Sequence, residues 1–313
     1  MIQFILRRLA SGVVLVLAVS TIGFLLLYAT IGDVARRILG QDATPEIVAR
    51  KAAQLGVDRP LYVQYWDWLS HAVTGNFGQS WFTGVQVSSA VGSRLSVTLS
   101  LVLCATILTA IISVLLGIWA ARKRGWADRV VQLVSVLGYA VPGFLIALGL
   151  VVAFAINLKW FKPTGFTSFA TSPAGWLSTA ILPIIALTIG GIAAVTQQIR
   201  GSMIDALRQD YVRTLRTRGL ATNRIVYKHV LRNAATPALA VLAVQFVGLL
   251  GGTVVIEQVF ALPGIGQIAV TATTQGDVPL VMGLVVVSAI IVVIVNLVID
   301  LLQGFLNPKV RLS

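Results

Sequence analysis

Long uncharged stretches alternate with short polar ones along the chain. A helix needs about 20 mostly apolar residues to cross the roughly 30 Å hydrocarbon core of a bilayer. Six stretches reach that length, at residues 9–31, 95–121, 130–158, 176–199, 233–256 and 278–299. Because these runs lack the two-residue alternation of barrel strands, the pattern predicts an all-α polytopic membrane protein with six transmembrane helices.

The polar segments between the predicted spans indicate four regions. They are 1–31 with an N-terminal segment and the first helix, 32–94 as an extracytoplasmic loop with short helices, 95–306 as a five-helix transmembrane core, and 307–313 as a cytoplasmic tail. Within the core, Pro163 and Pro173 indicate a loop that leads into the fourth span.

Two short helices are expected in the first loop. Thr44, Pro45 and Glu46 have the order of a helix start, with a capping hydroxyl, a proline at the first helical position and an acid near the amide dipole. Gly56 is placed to end that helix. The second helix is expected at about 60–72.

The basic residues lie mostly in alternate connections between the predicted spans. The chain has 24 Lys or Arg and 11 Asp or Glu, for a formal net charge of +13. Sixteen of the 24 fall in the N-terminal segment, the second and fourth connections and the C-terminal tail, and none falls in the fifth connection. Cytoplasmic loops carry an excess of Lys and Arg, so both termini are expected in the cytoplasm. This distribution explains the charge without a nucleic acid partner.

The sequence contains no motif that points to catalysis or to a bound cofactor. There is no GxxxxGK[ST] phosphate loop, no HExxH and no GxSxG. Its two histidines, His71 and His229, fall on opposite sides of the membrane in this topology, and its single cysteine, Cys104, lies inside an apolar span. We therefore expect no catalytic residue, no metal and no cofactor in this chain.

The connection between the fourth and fifth spans is the most informative segment. The fourth helix is expected to continue to about Asp210, and residues 211–218 favour a short helix. Gly219 then supplies a left-handed stop, Leu220 is placed for the hydrophobic contact that accompanies it, and Thr222 is expected to cap the next helix. The segment predicts a short, rigid helix on the cytoplasmic face, which suits docking of another protein.

A second set of residues bears on a transport pathway. Pro142 lies near the middle of the third span, where proline bends a helix, and this bend beside Tyr139 either lines a pathway or serves packing alone. Glu257 is expected near enough to the outer interface to be hydrated. So few ionisable groups lie within the spans that an ion-coupled transporter has little support. The pathway or gate candidates are Tyr139, Pro142, Gln245, Glu257, Pro263 and Gly264.

The fourth connection also carries a family resemblance. It reads DYVRTLRTRGL and then HVLRNAATP, and it resembles the EAA-type cytoplasmic loop of permeases in binding-protein-dependent ABC importers, in the form typical of dipeptide and oligopeptide systems. The resemblance continues through ILRRLA, LGVDRPLYVQY, GNFGQS, VVIEQVFALPGIGQ and LVIDLLQGFLNPKVRL, and so covers nearly the whole chain. Two places depart from the family pattern. TIGDVA stands where a PGDP-like turn is usual, and Arg213, Thr214 and Leu215 replace the Glu-Ala-Ala of the name.

The resemblance implies the transmembrane domain of a type I ABC importer, the first of two paired permeases in a bacterial or archaeal plasma or inner membrane. Its implied partners are a homologous second permease, two cytoplasmic ATPase subunits that bind ATP and Mg²⁺, an extracytoplasmic solute-binding protein and membrane lipid. The residues implied in coupling to an ATPase are Asp210, Tyr211, Val212, Arg213, Thr214, Leu215, Arg216, Arg218, Gly219, Leu220, His229, Arg232 and Asn233.

The implied function is the import of di- or oligopeptides through a pathway of which this chain forms half. Nickel or another small solute stays open as a cargo within the same family. From a different class, an ATP-independent channel or a secondary transporter is the alternative. The turn at Pro263 and Gly264 faces the binding protein, shapes an outer gate or is a plain tight connection.

Overall fold

The computed structural model of the chain describes residues 2–30 and 34–306. Gly32 and Asp33, in the TIGDVA segment that departs from the family pattern, lie outside the described residues. The expected tail from residue 307, with Lys309 and Arg311, also lies outside them. The described helices are α1 (Ile2–Thr30), α2 (Val34–Leu39), α3 (Pro45–Leu55), α4 (Leu61–Val73), α5 (Val87–Lys123), α6 (Trp126–Ala140), α7 (Gly143–Leu150), α8 (Pro173–Leu207), α9 (Asp210–Thr217), α10 (Thr222–Arg224), α11 (Leu231–Val259), α12 (Ile265–Gln275) and α13 (Val278–Leu306). Two π-helical segments, Val151–Asn157 and Ile225–Val230, continue α7 and join α10 to α11. No strand occurs among these residues.

Within the described ranges, five helices are long and apolar enough to cross a membrane, and a bent pair adds a sixth if it is one span. The bent pair is the predicted third span. It breaks between α6 and α7 with an angle of 94°. Val141 is extended, with φ −86° and ψ 121°, because the ring of Pro142 disfavours a helical conformation at the preceding residue. The predicted all-α class is confirmed, and the third span is sharply bent.

Several predicted helices were too short or were shifted along the chain. α5 begins at Val87 instead of residue 95. Pro173, read from the sequence as part of a loop, is the first residue of α8, a position that suits proline, and the Ser172 hydroxyl caps the helix by accepting the Gly175 N–H at 3.1 Å. α8 then ends at Leu207, before the expected end at Asp210.

The chain divides into two compact units. Among the described residues, unit 1 holds 2–4, 98–262 and 295–306. In this unit α11 packs along α8, and α6 and α7 also pack on α8. Small residues permit close approach, since a Cβ atom on Gly117 would lie 2.7 Å from Cγ2 of Ile199.

Unit 2 holds residues 5–97 and 263–294. Its α3 begins at Pro45, as predicted, but the expected cap is wrong, because the Thr44 side chain makes no capping hydrogen bond. The helix ends at Leu55, and Gly56 follows it with a left-handed φ of 71°, as predicted. The second short helix, α4, is also confirmed, to within one residue at each end. The expected turn between the last two spans instead leads into an eleven-residue helix, α12.

The core of unit 2 contains side chains from both of its segments, residues 5–97 and 263–294. One buried cluster consists of Val87, Val91, Ala272, Leu280 and Leu284. Asp277 is also buried, and its carboxylate accepts hydrogen bonds from the Ser80 hydroxyl and, at 3.2 Å, from the Trp81 N–H. No local sequence pattern indicates this polar contact.

Candidate functional site

The predicted docking helix is present as α9. It begins at Asp210, whose carboxylate lies in the first turn, where it interacts favourably with the amide dipole. Gly219 has a φ of +76°, and the Leu220 N–H donates to the Leu215 carbonyl at 3.2 Å, which is the geometry of a glycine C-terminal stop. The stop is therefore confirmed, and the helix lies one residue earlier than 211–218. Thr222 does not cap α10; it is the first residue of that helix and makes no capping bond with its side chain.

One face of α9 is embedded in the core of unit 1. Val212 is 0% exposed. It belongs to a buried cluster with residues of α5, α8, the π-helical turn and α11: Ile118, Ala121, Val195, Ile199, Met203, Ile225, Val226, Val230, Ala234 and Ala238. Tyr211, Leu215 and Leu220 pack against the same cluster and are partly buried. Because this cluster includes both flanking membrane helices, α9 is fixed to α8 and α11 together.

Polar contacts reinforce this attachment. The Asn233 side-chain amide donates to the Tyr211 hydroxyl at 3.1 Å, which ties α9 to α11. Arg232 donates from Nε to the carbonyl of Leu306 at 2.9 Å, at the end of α13, where helix carbonyls lack intrahelical partners. His229 is half-buried on the π-helical turn. Of these three residues, Asn233 supports α9 directly, whereas Arg232 ties the start of α11 to the end of α13.

The opposite face of α9 is exposed and basic. The exposed predicted residues are Asp210, Arg213, Thr214, Arg216, Arg218 and Gly219. Arg213 pairs with Asp210 at 3.7 Å, but their side chains are 79% and 94% exposed, so this ion pair contributes little to stability. The guanidinium groups remain accessible to an acidic partner.

An ion pair that sequence reasoning missed supports α8. Arg200 binds Asp128 of α6 in a bidentate manner, through an Nε–Oδ1 contact and an Nη2–Oδ2 bond of 2.6 Å. Gln132 also donates to Asp128 at 3.2 Å. Both charged side chains are about one-fifth exposed, so the pair is partly desolvated. Its members lie 72 positions apart, and no local pattern links them.

The pathway candidates do not form one cluster in unit 1. Glu257 is 0% exposed and accepts a hydrogen bond from the Thr98 hydroxyl at 2.6 Å, so its expected hydration was wrong. The carboxylate of Glu257 is buried beside the Thr98 hydroxyl, and this hydrogen bond replaces the expected contact with water. Gln245 donates to the Gly191 carbonyl at 3.4 Å, and it lies twelve residues from Glu257, or about 18 Å along α11. Tyr139 is 76% exposed.

The remaining candidates lie at two turns. Pro142 is exposed at the bend between α6 and α7, in unit 1. In unit 2, Pro263 is exposed and Gly264 is buried directly before α12. Within residues 2–30 and 34–306, no group of three His, Cys, Asp or Glu side chains is arranged to hold a metal ion.

Comparison with known proteins places the chain in a family. Residues 113–312 match the family described as binding-protein-dependent transport system inner membrane component, and residues 1–102 match the N-terminal family of such membrane components. A probable peptide ABC transporter permease protein of Sinorhizobium fredii is 38% identical over 98% of this chain and 99% of its own length. A putative peptide transport system permease protein of Brucella abortus is 37% identical, and a glutathione transport system permease protein of Salmonella typhimurium is 33% identical, each over 99% of both chains.

A solved structure shares the fold. It is the MetNI methionine ABC transporter in inward-facing conformations, which matches with a TM-score of 0.56 and 16% identity over 69% of this chain and 96% of its own chain. Its likeness supports the type I importer architecture. The chain therefore belongs to the family of inner membrane components of binding-protein-dependent transport systems, and it is a multi-pass permease, the transmembrane subunit of an ABC importer.

Proposed function

We propose that this chain forms half of a translocation pathway for short peptides. Relatives that are 33–38% identical over almost the whole chain are named for peptides or for glutathione, which is itself a tripeptide. The spans contain few ionisable groups, which suits a permissive pathway for cargo of varied side chains. Selection of the cargo then rests largely with a separate binding protein.

The complete importer contains four further subunits in this proposal. They are a homologous second permease, two cytoplasmic ATPases and an extracytoplasmic solute-binding protein, and this chain is the first of the two paired permeases. ATP and Mg²⁺ bind to the ATPases, so this chain performs no catalysis. Its own contribution is mechanical, since it converts movement of an ATPase into rearrangement of membrane helices.

The observation that carries the coupling assignment is the two-sided character of α9. Its basic face is accessible, and its buried face, through Val212, reaches α8 and α11. A groove of one ATPase receives the exposed face, where the charges contribute mainly to orientation and specificity. The glycine stop gives the helix a defined end and a fixed direction of entry into α10.

ATP-driven closure of the two ATPases moves α9 as a rigid body. Because Val212 and the Tyr211–Asn233 hydrogen bond fasten α9 to its neighbours, the displacement passes into α8 and α11 instead of being absorbed by a loose loop. The two permease halves then alternate between inward-open and outward-open states. A channel or an ion-coupled transporter has no need of this rigid attachment.

We place the chain in the inner membrane of a bacterium or the plasma membrane of an archaeon, with both termini in the cytoplasm. Cysteine labelling tests this orientation, in a background where Cys104 is replaced by serine. A membrane-impermeant thiol reagent should label Arg50→Cys in intact cells and Arg216→Cys only after permeabilisation. The reverse pattern would overturn the orientation.

Reconstituted transport tests the cargo and the coupling together. The complex is placed in liposomes with its binding protein, and uptake is measured with peptides, nickel and other solutes as competitors. We expect ATP-dependent uptake that peptides inhibit. Uptake without ATP would favour a channel or a secondary transporter, and competition by nickel alone would assign a metal cargo.

A matched pair of variants separates coupling from charge. Arg213→Glu with Arg216→Glu should reduce both uptake and the amount of ATPase that co-purifies, because the exposed face of α9 becomes acidic. Arg50→Glu with Lys51→Glu makes the same charge change on α3 and should leave ATPase association unchanged. Equal ATPase association in the two double variants would refute docking at α9.

A further inference from the structure

A basic cavity lies beside the docking helix, at the end of α5. Its volume is about 460 Å³, within the roughly 300–1,000 Å³ of ordinary ligand pockets. Four of its eight lining side chains are cationic, and none is acidic. The four cations are Arg122 and Lys123 at the end of α5, Arg124 directly after it, and Arg216 from α9. The coupling assignment uses Arg216 and leaves the other three unexplained.

The cavity lacks an internal counter-charge. Arg122 donates to the side-chain oxygen of Asn223 at 2.9 Å, which is a neutral partner. Among the residues that the structure describes, no carboxylate lies within 4.0 Å of the charged groups of Lys123, Arg124 or Arg216. The nearby Asp128 interacts electrostatically with Arg124, but its carboxylate is hydrogen-bonded to Arg200 and does not line the cavity. Like charges brought together around one space repel one another, so an anion in the cavity would be stabilising.

The backbone at this cavity is strained. Arg124 has a φ of +47° and Gly125 a φ of +62°, so two consecutive residues have a positive φ in the short connection between α5 and α6. Glycine adopts that conformation readily, but arginine does not. Strain of this kind is characteristic of ligand clamps and other functional sites.

The exposed side chains along α5 change in polarity toward the cavity, in the order expected across one leaflet of a bilayer. Exposed apolar side chains follow one another at every fourth residue along one face of α5: Leu103, Ile107, Ile111 and Leu115. Trp119 is the next in this series, and Lys123 of the cavity follows it. This order is expected along a helix that runs from the bilayer core to the headgroups. Apolar residues face the hydrocarbon, an aromatic residue lies at the interface, and a cation lies among the headgroups.

A second tryptophan marks the same level. Trp126 is the first residue of α6 and is 70% exposed. Its ring meets that of Trp119 edge to face, with the centroids 5.9 Å apart. Tryptophan is enriched at membrane interfaces because its ring is apolar and its N–H is polar. The cavity therefore lies where lipid headgroups are available.

We propose that this cavity binds the phosphate group of an anionic phospholipid, with Lys123 and Arg124 as its principal ligands. Basic pockets between membrane helices are suited to such headgroups. Because Arg216 belongs to α9 and also lines the cavity, a bound lipid bridges the membrane interface and the docking helix. ATP turnover by the complex then depends on anionic lipid.

The test uses the whole complex in nanodiscs of phosphatidylcholine with increasing amounts of phosphatidylglycerol. ATP hydrolysis and the phosphatidylglycerol retained after detergent extraction are both measured, the latter by mass spectrometry. Lys123→Gln with Arg124→Gln should weaken the binding of phosphatidylglycerol by about 30-fold, from the gain per cation near an anionic membrane surface. The phosphatidylglycerol content needed for half-maximal ATP hydrolysis should therefore rise. Retained phosphatidylglycerol should fall in parallel.

A control double variant removes the same charge outside the cavity. Arg129→Gln with Arg224→Gln changes two exposed cations of unit 1 that do not line it, and its lipid dependence should match that of the unaltered complex. Equal shifts in both double variants would overturn the proposal, because general surface charge would explain them.

Two further arms distinguish the source of the phosphate and the kind of partner. Inorganic phosphate added to phosphatidylcholine nanodiscs should not replace phosphatidylglycerol; full replacement would overturn the lipid assignment in favour of a soluble anion. Co-purified ATPase should be unchanged in Lys123→Gln with Arg124→Gln. Loss of ATPase with normal lipid retention would instead make the cavity a subunit interface.

Discussion

Replacement of Val212 by alanine tests whether the buried face of α9 fixes the helix to the membrane domain. Val212 is the one fully buried side chain of α9, and it lies within the cluster that includes residues of α8 and α11. The change removes two methyl groups from water-free surroundings, which costs about 1.6 kcal/mol at roughly 0.8 kcal/mol per buried carbon. A cavity that does not collapse adds to this cost.

Hydrogen exchange measures this loss where it occurs. A local destabilisation of about 1.6 kcal/mol corresponds to roughly 15-fold less protection of the α9 amides, because 1.4 kcal/mol is a factor of ten. Peptide-level exchange of the complex in nanodiscs should show this change at residues 210–217 and none in α3. Stimulation of ATP hydrolysis by the loaded binding protein should weaken in the same variant, because a loosened helix transmits less movement.

Thr214→Ala is the matched control for Val212→Ala. Threonine and valine have the same shape and are both β-branched, so each substitution changes helix propensity in the same direction. Thr214 is exposed, and its hydroxyl bonds only to the Asp210 carbonyl one turn earlier, at 3.2 Å. Hydrogen exchange of the α9 amides should therefore change little in Thr214→Ala. The packing argument fails if Val212→Ala leaves α9 protection unaltered, or if both variants lose protection equally.

Three further substitutions have defined outcomes in thermal unfolding of the purified complex. Gly219→Ala forces a side chain into a left-handed conformation and should cost roughly 1–2 kcal/mol. Its control, Gly201→Ala, lies inside α8 with open space at its Cβ and should be neutral or stabilising. A lower melting temperature for Gly201→Ala would contradict this reasoning. Asp128→Asn should cost about 1.5–3 kcal/mol, and the double variant with Arg200→Gln should recover part of it, so additive losses would argue against a coupled pair. Glu257→Ala removes a buried hydrogen-bond acceptor and should cost about 1–3 kcal/mol, while Glu257→Gln should be milder; equal melting temperatures for these two variants would refute a structural role for the bond.

The sequence was sufficient where a single local rule decides the structure. Length and polarity of the runs identified the spans, because a bilayer imposes both. The stop at Gly219 followed from glycine's access to left-handed conformations, and the same reasoning located Gly56. The buried face of α9 was less accessible from sequence, since an eight-residue helix with one buried valine gives a weak pattern.

The errors came from contacts between distant parts of the chain and from ambiguous prolines. The sequence favours a loop at Pro173, although proline also suits the first position of a helix when a cap such as Ser172 precedes it. The bend at Pro142 was foreseen, but its angle depends on packing. The position of Glu257 near the outer end of the fifth span predicts hydration. Its partner Thr98 lies 159 positions away, and no local pattern reveals such a partner.

The buried carboxylate of Asp277 has a consequence for biogenesis. It accepts hydrogen bonds from Ser80 and Trp81, which are made 196–197 positions earlier in the chain. At roughly 5–20 residues per second, a ribosome needs on the order of ten to forty seconds to cover that distance. During this interval the first part of unit 2 lacks its later core partners. Chains interrupted before α12 are therefore expected to leave an unfinished apolar surface, which limited proteolysis of truncated chains would detect.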